Sequence, residues 1–262
     1  MSSALILQRE SEIARVIINR PSQRNAIDYA GWLELSRIAN DVAQDARIRV
    51  VVLEGAGNEA FSAGADIRDF QQHRKDSATA KEYARAFEGA MDAVEAIPVP
   101  TVCLIRGFCV GGGCELSLAT DIRVSADNGR FGIPVGQLGI LAGYAEAQRL
   151  VDLVGVGNAS RLLLSAWMID AYEALRIGLV TGVVPLSEID DHVDQLVSQI
   201  VSLSPLSQRG HKKILKTVIR NPGLYGLSSE EMDLPLANFD SEDFHEGRRA
   251  FLERRKPEFK GK

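Results

Sequence analysis

The chain is organised around one central stretch, Val110-Gly111-Gly112-Gly113-Cys114-Glu115-Leu116-Ser117-Leu118-Ala119. It follows the apolar run 100–105, which predicts a buried strand because it is short, β-branched and bounded by proline and glycine. The stretch itself predicts the start of a helix, whose first turn offers unpaired N–H donors and the positive end of the helix dipole. Because the glycines leave that backbone bare, we expect an anion site there. A helix that starts near Gly112 places Glu115 one turn further on, beside that site.

Two interpretations of this stretch stay open. In the first, the bare amides and Glu115 share a ligand pocket. In the second, the glycines let a helix pack tightly on a strand, and Glu115 is a first-turn acid that complements the helix dipole. The apolar neighbours of Glu115 predict a largely buried helix. An ionised carboxylate is seldom buried without a partner or a task, which favours the first interpretation.

Length and composition bound the class of protein. With 262 residues, of which 45% are hydrophobic and 25% charged, the chain is typical of a soluble globular protein with one sizeable domain. Its net charge of −5 argues against nucleic-acid binding. The three cysteines, Cys103, Cys109 and Cys114, predict buried, reduced thiols and a cytoplasmic setting. We find no export signal and no run that predicts a membrane span.

Strands and helices alternate along the chain to about residue 184. Before the central stretch, the pattern predicts a hairpin, a helix capped by Asp28 and a buried parallel strand, over 5–18, 28–44 and 50–53. Beyond residue 184 the pattern is almost wholly helical. The sequence therefore predicts an α/β fold with a core over 1–184 and a helical C-terminal region over 185–262.

A second loop of small residues occupies 54–67 and follows a predicted strand, as the glycine stretch does. Two such loops at the ends of buried strands predict one shared site. Asp66 in this loop is alternatively the N-cap of a short helix. The next segment, 71–78, is polar and charged, so we expect His73, Arg74 and Lys75 on a solvated surface.

The motifs of three other enzyme classes are missing. No G-x-G-x-x-G lies between a strand and a helix, as dinucleotide binding requires, and no G-x-S-x-G predicts a serine hydrolase. A metal centre is not predicted, because the histidines lie far apart in polar segments. Each is expected on the surface: His73, His192, His211 and His245.

Several separated segments resemble the crotonase (enoyl-CoA hydratase/isomerase) superfamily. They are spread over essentially the whole chain with the family's spacing: Asn19-Arg20-Pro21, Asn25-Ala26, 61–67, Gly107, 111–116, Asp121, 148–150, Ala174, 178–180 and 251–257. The resemblance implies a spiral of β-β-α turns and a helical trimerisation region, commonly assembled as a hexamer of two trimers. It also implies an acyl-CoA thioester substrate and no separate cofactor, because CoA is part of the substrate.

The resemblance also assigns roles by motif position. It implies that the thioester oxygen accepts hydrogen bonds from the N–H groups of Ala65 and Gly112, which would stabilise the charge of an enolate. It implies that Glu115 is the catalytic carboxylate. The wall around the acyl chain is expected from 70–87 and 138–144. CoA is implied to bind along the two loops, with Arg24 near a phosphate, at Arg24, Ala26, Ala63, Asp66, Ile67 and Gly111.

The sequence departs from the hydratase pattern at one position. Hydratases of this family usually carry a second glutamate directly after a Phe-Gly-x-Pro motif, and here that position is Val135. Valine can neither hold a water molecule nor transfer a proton. Glu115 therefore acts alone as base and acid in turn, or a group that begins the helix after Gly143, either Glu146 or Tyr144, supplies the second function. Helix position alone favours a dipole role for Glu146.

A third explanation is a different enolate reaction, such as isomerisation, decarboxylation or thioester hydrolysis. A catalytically weak binding scaffold of the same fold is the alternative from outside the enzymes. We favour hydration or a closely related lyase reaction, because Glu115 would be hard to explain in an enzyme that needed no carboxylate at this position.

Overall fold

The computed structural model describes residues 4–262, so residues 1–3 of the predicted core region lie outside the described part of the chain. The strands are β1 Leu5–Glu10, β2 Ile13–Ile18, β3 Val50–Gly55, β4 Ala60–Ser62, β5 Thr101–Ile105, β6 Phe108–Val110, β7 Ile122–Ala126, β8 Arg130–Gly132, β9 Ile169–Asp170 and β10 Gly182–Val184. The helices are α1 Tyr29–Gln44, α2 Phe70–His73, α3 Ser77–Ala96, α4 Gly112–Leu118, α5 Tyr144–Ser165, α6 Ala171–Arg176, α7 Ile189–Val201, α8 Pro205–Arg220, α9 Ser229–Asp233 and α10 Glu242–Glu253.

The strands form two sheets that the chain visits in turn. The larger sheet has the order β1-β2-β3-β5-β7-β10, and the smaller has the order β4-β6-β8-β9. Three times in succession, a strand of the larger sheet is followed by one of the smaller: β3 by β4, β5 by β6 and β7 by β8. The pairs β2-β3, β3-β5, β5-β7, β4-β6 and β6-β8 are parallel, and β1-β2 is the predicted antiparallel hairpin. The predicted α/β class and spiral of β-β-α turns are confirmed.

The larger sheet is buried on both faces, which explains the unbroken apolar runs of its central strands. Successive side chains of a strand point to opposite faces. In β3, Val51 and Leu53 join the main core with helices α1, α3 and α4, while Val50 and Val52 pack against helix α7 on the other side. This double burial holds the sheet rigid, and the loops at its strand ends are thereby fixed.

The polypeptide turns sharply between β5 and α4. Gly107 has φ +60°, and a Cβ there would lie 1.9 Å from the Glu59 carbonyl oxygen, so only glycine fits. Strand β6 then leads into Gly111, which has φ +53° and directly precedes helix α4. The predicted strand over 100–105 and the helix start near Gly112 are confirmed.

The predicted Asp28 cap is confirmed, because its carboxylate accepts a hydrogen bond from the Gly31 amide at 2.8 Å. Four further helices are also capped by side chains, those of Asp170, Ser204, Ser228 and Ser241. The pattern predicts separate helices over 144–154 and 159–164, and α5 is broken between them, because Gly155 has the non-helical backbone angles φ 73° and ψ 159°. One boundary differs from expectation, since the helix that the pattern starts at Ser187 begins only after Glu188.

The C-terminal helices are tied to the core through an ion pair between the buried Lys212 and the exposed Asp121. The Lys212 ammonium of α8 lies 2.7 Å from Asp121 and 3.0 Å from the Val99 carbonyl oxygen, and Asp121 also accepts the amide and hydroxyl of Thr101. Whether residue 184 separates two domains stays a prediction. Among residues 4–262, no helix combines the length and apolar character needed to cross a bilayer.

Candidate active site

A cavity of about 360 Å³ opens where helix α4 begins. Its walls include the two small-residue loops, through Ala63 and Ala65 on one side and Gly111 and Gly112 on the other, together with Glu115. The apolar part of the wall comes from both predicted segments, through Phe70, Phe87, Leu138, Ile140 and Leu141. The loops and the carboxylate that the sequence assigns to one site therefore surround one space.

The two loops touch at Gly64. This residue has φ +90°, and a Cβ on it would lie 2.7 Å from the Val110 carbonyl oxygen and 2.8 Å from the Gly112 nitrogen. On its other side the loop pairs with Ile27, whose amide donates to the Gly64 carbonyl at 2.8 Å and whose carbonyl accepts the Asp66 amide at 2.9 Å. Because the hydrogen bonds to Ile27 come from the residues on either side of Ala65, the Ala65 amide itself is directed away from Ile27.

Helix α4 supplies the second amide and the carboxylate. Gly112 begins the helix, so its N–H has no partner within it, and Glu115 lies one turn on. The glycines also serve packing, because a Cβ on Gly113 would lie 2.4 Å from the Ser62 carbonyl oxygen and one on Gly112 would lie 2.9 Å from the Phe87 ring. The close packing of the second interpretation is therefore confirmed, while the ligand site of the first stays a prediction.

Glu115 is only 4% exposed, although it faces the cavity. Burial raises its pKa to about 8, the negative charge of Glu146 adds to this effect, and the positive charge of Arg74 opposes it. At neutral pH the Glu115 carboxyl therefore mostly holds its proton. A carboxyl with this pKa both accepts and releases a proton readily near neutral pH.

A second buried carboxylate lies in the same cavity. Glu146, in the first turn of α5, is 3% exposed and lines the cavity with Glu115. Neither of its carboxylate oxygens has a hydrogen-bond partner among residues 4–262. Tyr144 is not brought to the site: its side chain is 99% exposed and it does not line the cavity.

The expectation that Arg74 is solvated is wrong. Its guanidinium lies 4.7 Å from the ring centroids of both Phe70 and Tyr83, and the side chain lines the cavity. The short helix that the sequence offers after Asp66 begins as a 3₁₀ turn over 67–69 and continues as α2. It brings the Arg74 side chain over α3, where aromatic rings attract the cation. The spacing of Phe70 and Arg74, four residues apart, is the signal available in the sequence.

His73 is also not fully solvated, because its ring stacks on Tyr29 at 4.4 Å between centroids. The other three histidines are exposed, as expected: His192, His211 and His245. Within the described range 4–262, no group of three or more His, Cys, Asp or Glu side chains is arranged to hold a metal ion.

Comparison with known proteins identifies the family. The family model for enoyl-CoA hydratase/isomerase matches residues 8–262. The chain belongs to this family. A crotonyl-CoA hydratase of Syntrophomonas wolfei is 36% identical over 255 residues, which cover 97% of each chain. A short-chain-enoyl-CoA hydratase of Clostridium acetobutylicum is 34% identical over 254 residues, covering 97% of this chain and 96% of the relative. The activity of the chain is accordingly of the enoyl-CoA hydratase type.

The structural comparison agrees with the family assignment. A crystal structure described as an enoyl-CoA hydratase/carnithine racemase, from Magnetospirillum magneticum, superimposes with a TM-score of 0.96 at 35% identity. The similarity covers 100% of this chain and 97% of the other. The fold over residues 4–262 is therefore that of this family.

Within the enoyl-CoA hydratase/isomerase fold, the departure at Val135 falls on the cavity wall. Val135 begins the single 3₁₀ turn after β8, is half-buried and lines the cavity together with Glu115 and Glu146. An apolar side chain thus occupies the place that the family resemblance gives to the second glutamate.

The positions implied for CoA are brought together only in part. Ala63, Ile67 and Gly111 line the cavity, and the Ala63 amide donates to the Arg24 carbonyl at 2.9 Å. The exposed Arg24 guanidinium lies 4.9 Å from the Phe108 ring centroid, outside the cavity wall. Ala26 is buried beneath this loop pair, and its carbonyl accepts from Arg20 at 2.8 Å.

Asp66 is the N-cap of the 3₁₀ turn over 67–69, which is the alternative to a ligand role that the sequence analysis left open. Its carboxylate accepts the Arg68 amide at 3.2 Å and pairs with the side chains of Arg68 and Arg20 at 3.1 and 3.0 Å. These hydrogen bonds, that of Arg68 first, hold the pKa of Asp66 below its usual value. Asp66 does not line the cavity.

Proposed function

We propose that this family member adds water reversibly to a short-chain α,β-unsaturated acyl-CoA, with Glu115 as the catalytic carboxylate and the amides of Ala65 and Gly112 as the oxyanion donors. The observation that carries the proposal is the shared cavity: the two bare loops touch at Gly64, and a buried carboxyl lies one helical turn from one of them. The names of the crotonyl-CoA and short-chain-enoyl-CoA hydratases support the short acyl chain.

The chemistry follows from where charge develops. When the oxygen of water bonds to Cβ of the enoyl thioester, the π electrons shift and an enolate forms, with negative charge on the thioester oxygen. Two fixed N–H donors stabilise that charge without reorganisation, and each is worth about 10²–10³-fold in rate. A carboxyl beside the thioester then moves the protons that the addition requires.

The CoA moiety is proposed to lie along the paired loops 23–27 and 63–67, so that the thioester reaches the amides at their ends. The residues that we propose to contact CoA are those that the family resemblance implies: Arg24, Ala26, Ala63, Asp66, Ile67 and Gly111. The exposure of Arg24 is compatible with a phosphate contact at the protein surface. No cofactor beyond the CoA of the substrate enters this proposal.

The assembly is proposed to be a homotrimer, or a hexamer of two trimers, in the cytoplasm. Large apolar side chains exposed on the C-terminal helices α8 and α10 support an oligomer, because such patches usually mark contact surfaces. They are Leu215, Val218, Ile219, Phe251 and Leu252.

The reaction is tested by incubating the purified protein with a panel of acyl-CoAs and following their masses. We expect crotonyl-CoA to gain the mass of one water and to lose its conjugated ultraviolet absorbance. Loss of carbon dioxide, release of free CoA thiol, or a shifted double bond without a change of mass would each identify another enolate reaction. A panel on which no substrate gains water would contradict the proposed hydration.

Replacing Gly64 by alanine is expected to damage the site through the backbone. The new Cβ meets the Val110 carbonyl and the Gly112 amide, and φ +90° is strained for alanine, so the two donors must move apart. Because removal of one oxyanion donor costs about 10²–10³-fold in kcat, we expect a loss of that size for crotonyl-CoA.

The control for this change is Gly89→Ala, because a Cβ on Gly89 of α3 meets no atom within 4 Å. That variant should keep the wild-type rate and gain slight helix stability. If Gly64→Ala hydrates crotonyl-CoA at half the wild-type rate or better, the loop junction does not position the donors.

A further inference from the structure

Glu146 is a buried charge that the proposed chemistry leaves unexplained. Its carboxylate is 3% exposed, and neither oxygen has a hydrogen-bond partner among the described residues 4–262. A buried carboxylate without a partner costs several kcal/mol and is retained in few folded proteins without a function. The ligand that satisfies it must therefore come from the space it faces, which is the cavity shared with Glu115.

A helix-capping role does not account for this carboxylate. A glutamate in the third position of a helix satisfies the start of the helix by accepting the N-cap amide. In α5 the N-cap is Gly143, and the Glu146 oxygens accept no such bond. The side chain nevertheless lies close to the helix start, because a Cβ on Gly143 would be 2.3 Å from Glu146 Oε2. The positive end of the α5 dipole thus stabilises its negative charge, while its oxygens stay free for a ligand.

We propose that Glu146 is the second acid–base carboxylate of this site, and that it replaces from helix α5 the glutamate that the chain lacks at Val135. The inference rests on the proposed hydration. Val135 and Glu146 line the same cavity as Glu115, so a carboxylate on α5 reaches the space that a side chain at 135 faces. Val135 is apolar, whereas Glu146 is a carboxylate without a hydrogen-bond partner. The carboxylate that position 135 lacks is therefore supplied from position 146.

The two carboxyl groups divide the proton transfers. Glu146 accepts a proton from water as the water oxygen bonds to Cβ and the π electrons move into the enolate. Glu115, one helical turn from the Gly112 amide that binds the thioester oxygen, donates its proton to the adjacent Cα. The net change is the addition of one water, and a proton returning from Glu146 to Glu115 through solvent resets the pair.

The charges around the cavity suit this division. Burial and the negative charge of Glu146 raise the pKa of Glu115 to about 8, against the positive charge of Arg74, so Glu115 mostly holds a proton at neutral pH and can donate it. Glu88 also lines the cavity, and burial raises its pKa, as do the charges of Glu146 and Asp92. A carboxyl that holds its proton near neutral pH suits the acid role that the division gives to Glu115.

Glu146→Gln tests the inference, because it keeps the size of the side chain and removes the base. We expect the hydration of crotonyl-CoA to fall by about 10²–10⁴-fold, the range for one general acid–base group. The dissociation constant for butyryl-CoA should stay within about threefold. Butyryl-CoA has no double bond, so exchange of its Cα protons in D₂O reports proton transfer at Cα alone. That exchange should persist in Glu146→Gln and disappear in Glu115→Gln.

Two further variants complete the experiment. Asp152→Asn makes the same chemical change on an exposed part of α5 and should keep the wild-type hydration rate. Val135→Glu, added to Glu146→Gln, returns a carboxylate to the cavity wall and should restore hydration at least tenfold over the single variant, which a merely structural role for Glu146 does not predict.

The outcomes separate the two proposals. An active wild type with a Glu146→Gln variant that hydrates within threefold of it would overturn the inference and leave the proposed function standing, with Glu115 acting alone. Exchange at Cα that falls together with hydration, or no gain from Val135→Glu, would overturn it too. A wild type that hydrates nothing contradicts both.

Discussion

Glu115→Gln is expected to lower kcat/KM for crotonyl-CoA hydration by about 10³-fold or more, because it removes the group that moves the Cα proton while the oxyanion donors remain. The glutamine keeps the shape of the side chain in the first turn of α4, and the Ala65 and Gly112 amides are unchanged. Binding should therefore survive the change. Stopped-flow or steady-state assays of enoyl absorbance measure the rate, and calorimetric titration with butyryl-CoA measures the affinity.

A conservative variant distinguishes chemistry from packing at this position. Glu115→Asp retains a carboxyl but withdraws it by one methylene, so it should lose less activity than Glu115→Gln while packing less well. The reverse order, with glutamine more active than aspartate, would mean that the volume at 115 matters and the proton does not. Turnover by Glu115→Gln at the wild-type rate would remove Glu115 from the mechanism altogether.

The sequence predicts those parts of the site that depend on backbone and periodicity. Strand β5, the start of α4 and the Asp28 cap follow from local patterns that the folded protein keeps. The meeting of the two small-residue loops follows from their places at the ends of two paired parallel strands, since such ends share one edge of a sheet. These elements can be predicted from local sequence because tertiary packing favours the same structure as the local pattern does.

The directions of long side chains could not be predicted in this way. Arg74 lies in a polar segment, and only the fold places the Phe70 and Tyr83 rings beneath its guanidinium. Glu146 occupies a first-turn position that equally suits a solvated dipole acid, and its burial depends on the cavity wall of another segment. These features depend on contacts between residues distant in sequence.

The same Glu115→Gln change is expected to stabilise the protein, and increasingly so as the pH rises. Burial, the charge of Glu146 and the opposing charge of Arg74 together raise the pKa of Glu115 from 4.5 to about 8 in the folded protein. Below the lower value, the carboxyl is neutral in both the folded and the unfolded states. Between the two values the unfolded chain releases this proton and the folded chain keeps it, so the free energy of unfolding falls with rising pH.

Glutamine has no proton to lose, and this destabilisation disappears in the variant. At about 1.4 kcal/mol per pH unit, the gain in the free energy of unfolding is on the order of 3–5 kcal/mol above pH 8, and it approaches zero towards pH 4.5. Urea denaturation of both proteins at a series of pH values measures it, and Asp152→Asn serves as the exposed control. A gain that is equal at both ends of the series would show that folding does not raise the pKa of Glu115. A gain that grows with pH would show that the buried Glu115 carboxyl lowers the stability of the folded protein. If the same variant has lost its turnover, the carboxyl is kept for catalysis and not for stability.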